Sequence, residues 1–136
     1  MEVDANSVAA LFNRGLSLYN LDRHEEAIKS FDKALAIEPT NSNTLFNKAF
    51  ALSNLNRTQE AIEYYDKVLA IVPHNADALN NKVVALNNLG IELSESEDYV
   101  GAIEYYDRAL AVDPNYINAL HNKGNALSNL NRTQEA

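Results

Sequence analysis

Apolar residues recur along this chain at helical spacing, in blocks that come in pairs. Leu11, Gly15 and Leu18 fall on one face, and Leu45, Ala49 and Leu52 repeat that face in the next block. Between them, Ala27, Phe31, Ala34 and Leu35 form a second stripe. The pattern predicts two helices joined by a short turn, then a restart. Asn56 and Asn131 follow the first helix of their blocks, where a left-handed C-cap is expected. Thr58 and Thr133 come next as expected N-caps. Pro39, Pro73 and Pro114 follow each second helix, which a proline cannot continue.

The pairs are copies of one another. The segments EEAIKSFDKALAIEP, QEAIEYYDKVLAIVP and VGAIEYYDRALAVDP align on Ala27, Ala61 and Ala102. Pro39 and Pro73 lie 34 residues apart, Pro73 and Pro114 lie 41 apart. Asn47 to Ala61 recurs as Asn122 to Ala136 with changes only at Ala49 and Phe50. The boundaries are about 8–41, 42–75, 76–116 with a seven-residue insertion, and 117–136 as a truncated fourth repeat. A single helix pair cannot bury both of its stripes, so neighbouring repeats must stack, and residues 1–136 are expected to form one domain. The extra residues sit around GIELSES, between Leu89 and Asp98. Leu86, Leu89 and Leu93 keep the spacing there, which predicts a first helix running to about Ser94. The acidic cluster Glu92, Glu95, Glu97 and Asp98 lacks a calcium-loop spacing and reads as a solvated connection.

Composition narrows the function. A net charge of -8 disfavours nucleic acid, whose phosphates demand a basic face. No apolar run is long enough to span a bilayer, and Met1-Glu2-Val3-Asp4 lacks the basic and apolar start of a secretory leader. A cytoplasmic location is the default expectation. With no cysteine there is no thiolate site, and His24, His74 and His121 have no second ligand at helical spacing. No phosphate-binding glycine loop or nucleophile elbow is present. Neither catalysis, a metal nor a cofactor is expected. Arg14, Lys48, Lys82 and Lys123 form a basic row on the first helices, and Asp32, Asp66 and Asp107 an acidic row on the second. Antiparallel pairing about the short turn predicts ion pairs within each repeat.

The 34-residue pattern resembles the tetratricopeptide repeat family over nearly the whole chain. Its marks are Leu11, Arg14, Gly15, Leu18, Ala27, Phe31, Ala34 and Pro39 in the first repeat. Leu45, Lys48, Ala49, Leu52, Ala61, Tyr65, Val68 and Pro73 carry them in the second. Leu79, Lys82, Val83, Leu86, Ala102, Tyr106, Ala109 and Pro114 carry them in the third. The family's leading tryptophan is leucine throughout. The resemblance implies an all-α fold, a right-handed superhelical solenoid of antiparallel helix pairs. It also implies a concave groove lined by the first helices, which holds an extended peptide or a partner helix.

The groove residues it implies begin with Asn13, Asn47, Asn81 and Asn122, matching the family's asparagine ladder, whose amides grip a peptide backbone. Asparagine is a poor helix-interior residue, so its recurrence needs a reason besides duplication. A second row, Asn20, Asn54, Asn88 and Asn129, lies at helix ends and is read as serving them. Phe12, Leu16, Tyr19, Phe46 and Phe50 make one end of the groove aromatic. Asn80, Val84, Asn87, His121, Asn125 and Ser128 make the other end polar, and Asp77 is the charged member. Family clamps for chaperone C-terminal carboxylates place Lys and Asn where this chain has Phe12 and Leu16, Asn where it has Asn47, and Lys and Arg where it has Asp77 and Asn81. Only Asn47 fits that pattern. The expected function is a protein-interaction scaffold with a protein or peptide partner. The alternative is a self-associating array, a homo-oligomer through repeat ends.

Overall fold

The computed structural model describes residues 2–135, with side chains over 7–133; Ala136, which closes the fourth repeat, lies outside the described residues. Seven helices follow one another: α1 (Glu2–Asn20), α2 (His24–Ile37), α3 (Ser42–Asn54), α4 (Thr58–Ile71), α5 (Ala76–Glu95), α6 (Tyr99–Val112) and α7 (Ile117–Glu135). No strand occurs among the described residues. The chain divides into two compact units, Met1–Ala78 and Leu79–Ala136.

The helix pairs are closed by one recurring turn. Its middle residue is left-handed at Asp22 (φ 61), Asn56 (φ 63) and Glu97 (φ 66), none of them glycine. The next N–H reaches back to a leucine carbonyl: Arg23 to Leu18 at 2.9 Å, Arg57 to Leu52 at 2.9 Å and Asp98 to Leu93 at 2.8 Å. These bonds satisfy carbonyls that the helix end would leave open. After each second helix the residue before proline leaves the helical region, at Glu38, Val72 and Asp113. The proline ring excludes the helical region for its predecessor. Asn41 and Asn75 then cap the next helix, accepting from Thr44 N–H at 3.1 Å and Ala78 N–H at 2.9 Å.

Two expected caps differ. Thr58 is the first residue of α4 and is buried; the flanking residue is Arg57, which makes no side-chain cap. Instead Arg57 forks onto Glu60 at 2.9 and 2.8 Å, as Arg23 forks onto Glu26 at 2.9 and 2.6 Å. The guanidinium hydrogen bond lowers the carboxyl pKa of Glu26 and of Glu60. The carboxylates also sit in the first helical turn, where negative charge is favoured. In the fourth repeat no turn forms. Helix α7 runs through Asn131, and the Thr133 hydroxyl donates back to the Asn129 carbonyl at 2.9 Å. The turn at Asn56 holds because Ala61, Tyr65 and Val68 dock back onto α3.

In the first unit the core joins Leu45, Ala49, Leu52, Ala61, Tyr65 and Val68, with Ile28 and Ala78. A second cluster joins Leu18, Ala27 and Phe31, and Phe31 lies so close to α1 that a Cβ at Gly15 would meet its ring at 2.4 Å. In the second unit Ala102, Tyr106 and Ala126 form the core, and a Cβ at Gly90 would meet the Tyr106 ring at 2.4 Å. Gly90 therefore stands to Tyr106 as Gly15 stands to Phe31, sixteen residues apart in both cases.

This equivalence locates the insertion. Helix α5 has 20 residues against 13 in α3, and its leucine stripe continues past Gly90 to Leu93, as the spacing predicts. Its second half is in step with α6, through Gly90 and Glu97, and its first half with the turn before it, through Asn75. The seven extra residues are thus two helical turns within α5 rather than a longer connection; residues 96–98 form the same three-residue turn as residues 21–23. Seven residues at about 100° each return within roughly 20° of the starting face.

Thr44 is fully buried and its hydroxyl has no hydrogen-bond partner among the described residues. Valine has the same shape without the unpaired hydroxyl. Thr44→Val is expected to raise stability by about 1 kcal/mol, read as an upward shift of the urea midpoint. An unchanged or lower midpoint would show that the hydroxyl is satisfied in solution.

Candidate functional site

The first unit gathers Tyr19, Phe46 and Phe50 on the faces of α1 and α3. Phe46 stacks on Phe50 with ring centres 6.1 Å apart and planes 12° from parallel. Tyr19 from α1 lies 5.6 Å from Phe50, and Phe46 rests 5.7 Å from the buried Tyr65. Phe50 is the exposed member of this cluster, at 37%. The Tyr19 hydroxyl accepts from the Asn54 amide at 2.8 Å, which ties the end of α3 to α1. Asn54 also donates to the Phe50 carbonyl at 2.9 Å, which fits the helix-end role of the second asparagine row.

The remaining sequence candidates spread out from this cluster. Leu16 is half-buried against the Phe31 core. Phe12 leans on Phe31 at 6.0 Å and borders a cleft of about 240 Å³ with Val8, Ala9, Glu38, Asn41 and Asn43. The structure therefore brings Tyr19, Phe46 and Phe50 together and places Phe12 at a separate cleft. Of the ladder, Asn13 is exposed on α1. Asn47 is half-buried and spends one amide N–H on the Asn43 carbonyl at 2.8 Å.

In the second unit, Asn81 is half-buried on α5 and Asn122 half-buried on α7. Asn122 donates to the Asn87 side-chain oxygen at 3.1 Å, and Asn87 itself is buried. Asn125 and His121 lie 3.3 Å apart. Positions 75 residues beyond Tyr19, Phe46 and Phe50 hold Ser94, His121 and Asn125. Here a cavity of about 230 Å³ has a mixed lining, with Ser94, Asn122, Asn125 and Asn129 beside Ile91, Tyr99, Tyr106 and Ala126. Asn88, two residues before Gly90, stands to α6 as Asn13 stands to α2. Asn81 and Asn88 share one side of α5, two turns apart. The signal was available: the sixteen-residue interval from glycine to aromatic ring recurs, but anchoring the third repeat on Leu79 and Val83 hides it.

The charged rows pair differently from expectation. Lys48 reaches Asp32 at 2.5 Å, and Lys123 reaches Asp107 at 2.6 Å, so each bridge joins a first helix to the preceding repeat. Counting along the chain explains this. Lys48 lies nine residues after Pro39 and Asp32 seven before it, which sets them level across that turn; Lys123 and Asp107 flank Pro114 identically. Within its own repeat Lys48 meets Tyr64 instead, donating to the hydroxyl at 2.8 Å with its ammonium 4.1 Å from the ring centre. Burial alone would lower the Lys48 pKa, but its bonds to Asp32 and Tyr64 outweigh that and raise it.

Short turns, alternating helix types and copied cores define a helical-repeat protein. Family models described as tetratricopeptide repeat match residues 40–115, 8–41 and 105–136. The chain belongs to the tetratricopeptide repeat family. It is similar in fold to the first such domain of Spaghetti (RPAP3) bound to the HSP90 peptide SRMEEVD, at 19% identity and a TM-score of 0.58, over 92% of this chain and 94% of that one. The MamA protein matches at 22% identity and 0.63, over 98% and 69%. The second domain of human RPAP3, in complex with the HSP70 peptide SGPTIEEVD, matches at 18% and 0.62, over 90% and 97%. No curated protein sequence matches. None of the described helices is long and apolar enough to cross a membrane.

Proposed function

We propose that this chain is a protein-interaction scaffold that binds an extended peptide or partner segment on the faces of its first helices. The observation that carries this reading is the Tyr19–Phe46–Phe50 cluster. A stacked aromatic pair with one exposed ring, bordered by side-chain amides, offers an apolar anchor beside main-chain hydrogen-bonding groups. Phe12 and Leu16 extend the apolar side along α1. Asn13, Asn47, Asn81 and Asn122 supply amides, each able to meet a peptide N–H and a C=O. Neutral amides grip a backbone without the desolvation penalty of a charge.

The two RPAP3 domains were solved with peptides ending in EEVD, and that ligand does not fit here. The clamp positions hold Phe12, Leu16, Asp77 and Asn81, with no cation among them. Shifting the third repeat to the step of α6 brings Val84 and Asn88 there, which are equally uncharged. The ligand proposed is a segment with apolar side chains, not an acidic C-terminal tail.

The test uses a peptide selected by display against the full chain and calorimetric titration. Asn47→Ala and Asn81→Ala are each expected to weaken binding by about 0.5–1.5 kcal/mol, roughly two- to tenfold. Unchanged affinity and sequence preference in both variants would mean that the ladder is inherited from duplication and takes no part in binding.

A further inference from the structure

We propose that the cavity between α5, α6 and α7 seats a tyrosine side chain of the segment this chain binds, a reading that rests on the scaffold function proposed above. The chain fills the equivalent place once with a residue of its own. Positions 75 residues apart occupy matching places in the two units. Gly15 approaches Phe31 as Gly90 approaches Tyr106. Asp32 bridges Lys48 as Asp107 bridges Lys123, at 2.5 and 2.6 Å. The turn bonds from Arg23 to Leu18 and from Asp98 to Leu93 measure 2.9 and 2.8 Å. In the first unit Tyr19 lies edge-on to His24, with ring centres 4.8 Å apart, and 5.6 Å from Phe50. Its hydroxyl accepts from Asn54 at 2.8 Å. In the second unit Ser94 stands for Tyr19 and Asn125 for Phe50. Two rings are thus replaced by small polar side chains within the chain, and both replacements border the cavity of about 230 Å³.

What remains around the cavity matches a phenol. Tyr99 holds the place of His24, and Ile91 and Ala126 hold those of Leu16 and Ala51, so the lining keeps apolar surface for a ring. Asn129 holds the place of Asn54 and is half-buried. Its backbone carbonyl accepts from Thr133, but its side-chain amide has no partner among the described residues. The Tyr106 hydroxyl, which Phe31 lacks, lies 3.4 Å from the Ser94 hydroxyl and adds a second polar group. A ring with one hydroxyl satisfies this set: it covers the apolar surface and gives the Asn129 amide the partner that Tyr19 gives Asn54. A plain phenyl ring would leave that amide covered and unpaired. Volume permits the fit, since a cavity of about 150 Å³ already takes benzene. Asn122 borders the same space and donates to Asn87, which leaves its amide oxygen for a backbone N–H of the segment whose side chain enters. Glu95, the charged residue of the lining, is exposed.

The probes are p-cresol and toluene, the side chains of tyrosine and phenylalanine, titrated against the full chain by NMR. p-Cresol is expected to saturate in about the millimolar range and to shift the signals of Ser94, Asn125 and Asn129. Toluene should bind roughly two- to tenfold more weakly, the worth of one neutral hydrogen bond. Asn129→Ala should erase that difference. Ser94→Tyr should abolish binding of both probes without lowering the melting temperature, because the new ring takes the seat that Tyr19 takes in the first unit. A display-selected peptide that binds the chain should carry a tyrosine whose change to alanine weakens binding at least about tenfold. Absence of p-cresol saturation would overturn the proposal, as would toluene binding equally well or binding indifferent to Ser94→Tyr. Tighter binding of propylguanidinium would give the cavity to an arginine beside Glu95 and also overturn it. The small probes need no peptide, so the two failures separate. Peptides that bind through Asn47 without a tyrosine overturn the tyrosine seat alone, whereas p-cresol bound as described with no peptide captured keeps the phenol seat and overturns the scaffold reading.

Discussion

Tyr65→Ala is expected to destabilise the chain by about 3–5 kcal/mol. The ring is 1% exposed and packs with Leu45, Ala49, Leu52 and Val68, while Phe46 of the aromatic cluster rests on it. Removing it opens a cavity that helices held by three-residue turns cannot close. Urea denaturation of the purified variant measures the loss; a change under about 1 kcal/mol would show that the ring is not part of the packed core. Tyr65→Phe separates packing from the hydroxyl. Burial raises the phenol pKa, more than its hydrogen bond with Ser53 lowers it. Tyrosinate therefore forms more readily in the unfolded chain. Stability from this group is complete below about pH 10, the unfolded value, and is lost as pH climbs through the raised folded value. The Lys48 ammonium, also raised, is lost in the same alkaline window. Tyr65→Phe should keep the neutral-pH packing and flatten part of the decline above pH 10.

Gly90→Leu is expected to destabilise by about 3 kcal/mol or more, although leucine is a better helix former by nearly 1 kcal/mol. A Cβ there already meets the Tyr106 ring at 2.4 Å, and that ring, 1% exposed, has nowhere to move. The matching change at Gly124 reverses the sign. Gly124→Ala adds a methyl in open space and should stabilise by up to about 1 kcal/mol through backbone entropy. Thermal melts of the two variants side by side decide the matter. Equal and small effects at both positions would mean that the close approach of α5 and α6 is looser than 2.4 Å implies.

Much of the architecture was legible because one signal was repeated. Ala27, Ala61 and Ala102 anchor three stripes at helical spacing, and each is fully buried. The intra-repeat turn was half legible. Asn56 advertises a left-handed residue, but Asp22 and Glu97 adopt the same conformation, and glutamate carries no such local signal. What fixes Glu97 is the docking of α6, a tertiary cause. The ion pairs were misassigned because the rows were matched across the nearer turn, when the level positions lie across the turn at proline. The turn expected at Asn131 and Thr133 does not form: residues that turn at Asn56 stay helical in α7. For the candidate site, the sequence supplied the residue types. It could not show that Tyr19, Phe46 and Phe50 converge while Phe12 borders another cleft.

The added length of α5 has a consequence for how such a chain can change over generations. A seven-residue insertion into a packed helix turns everything beyond it by only about 20°, so leucines stay directed inward. Five residues would swing the same leucines by roughly 140°, into water. Gains and losses in these first helices are therefore tolerated in heptads, and intermediate lengths are removed by the exposure they cause. Lengthening by heptads leaves the cores on either side in place and changes the spacing between Asn47, Asn81 and Asn88 along the first helices.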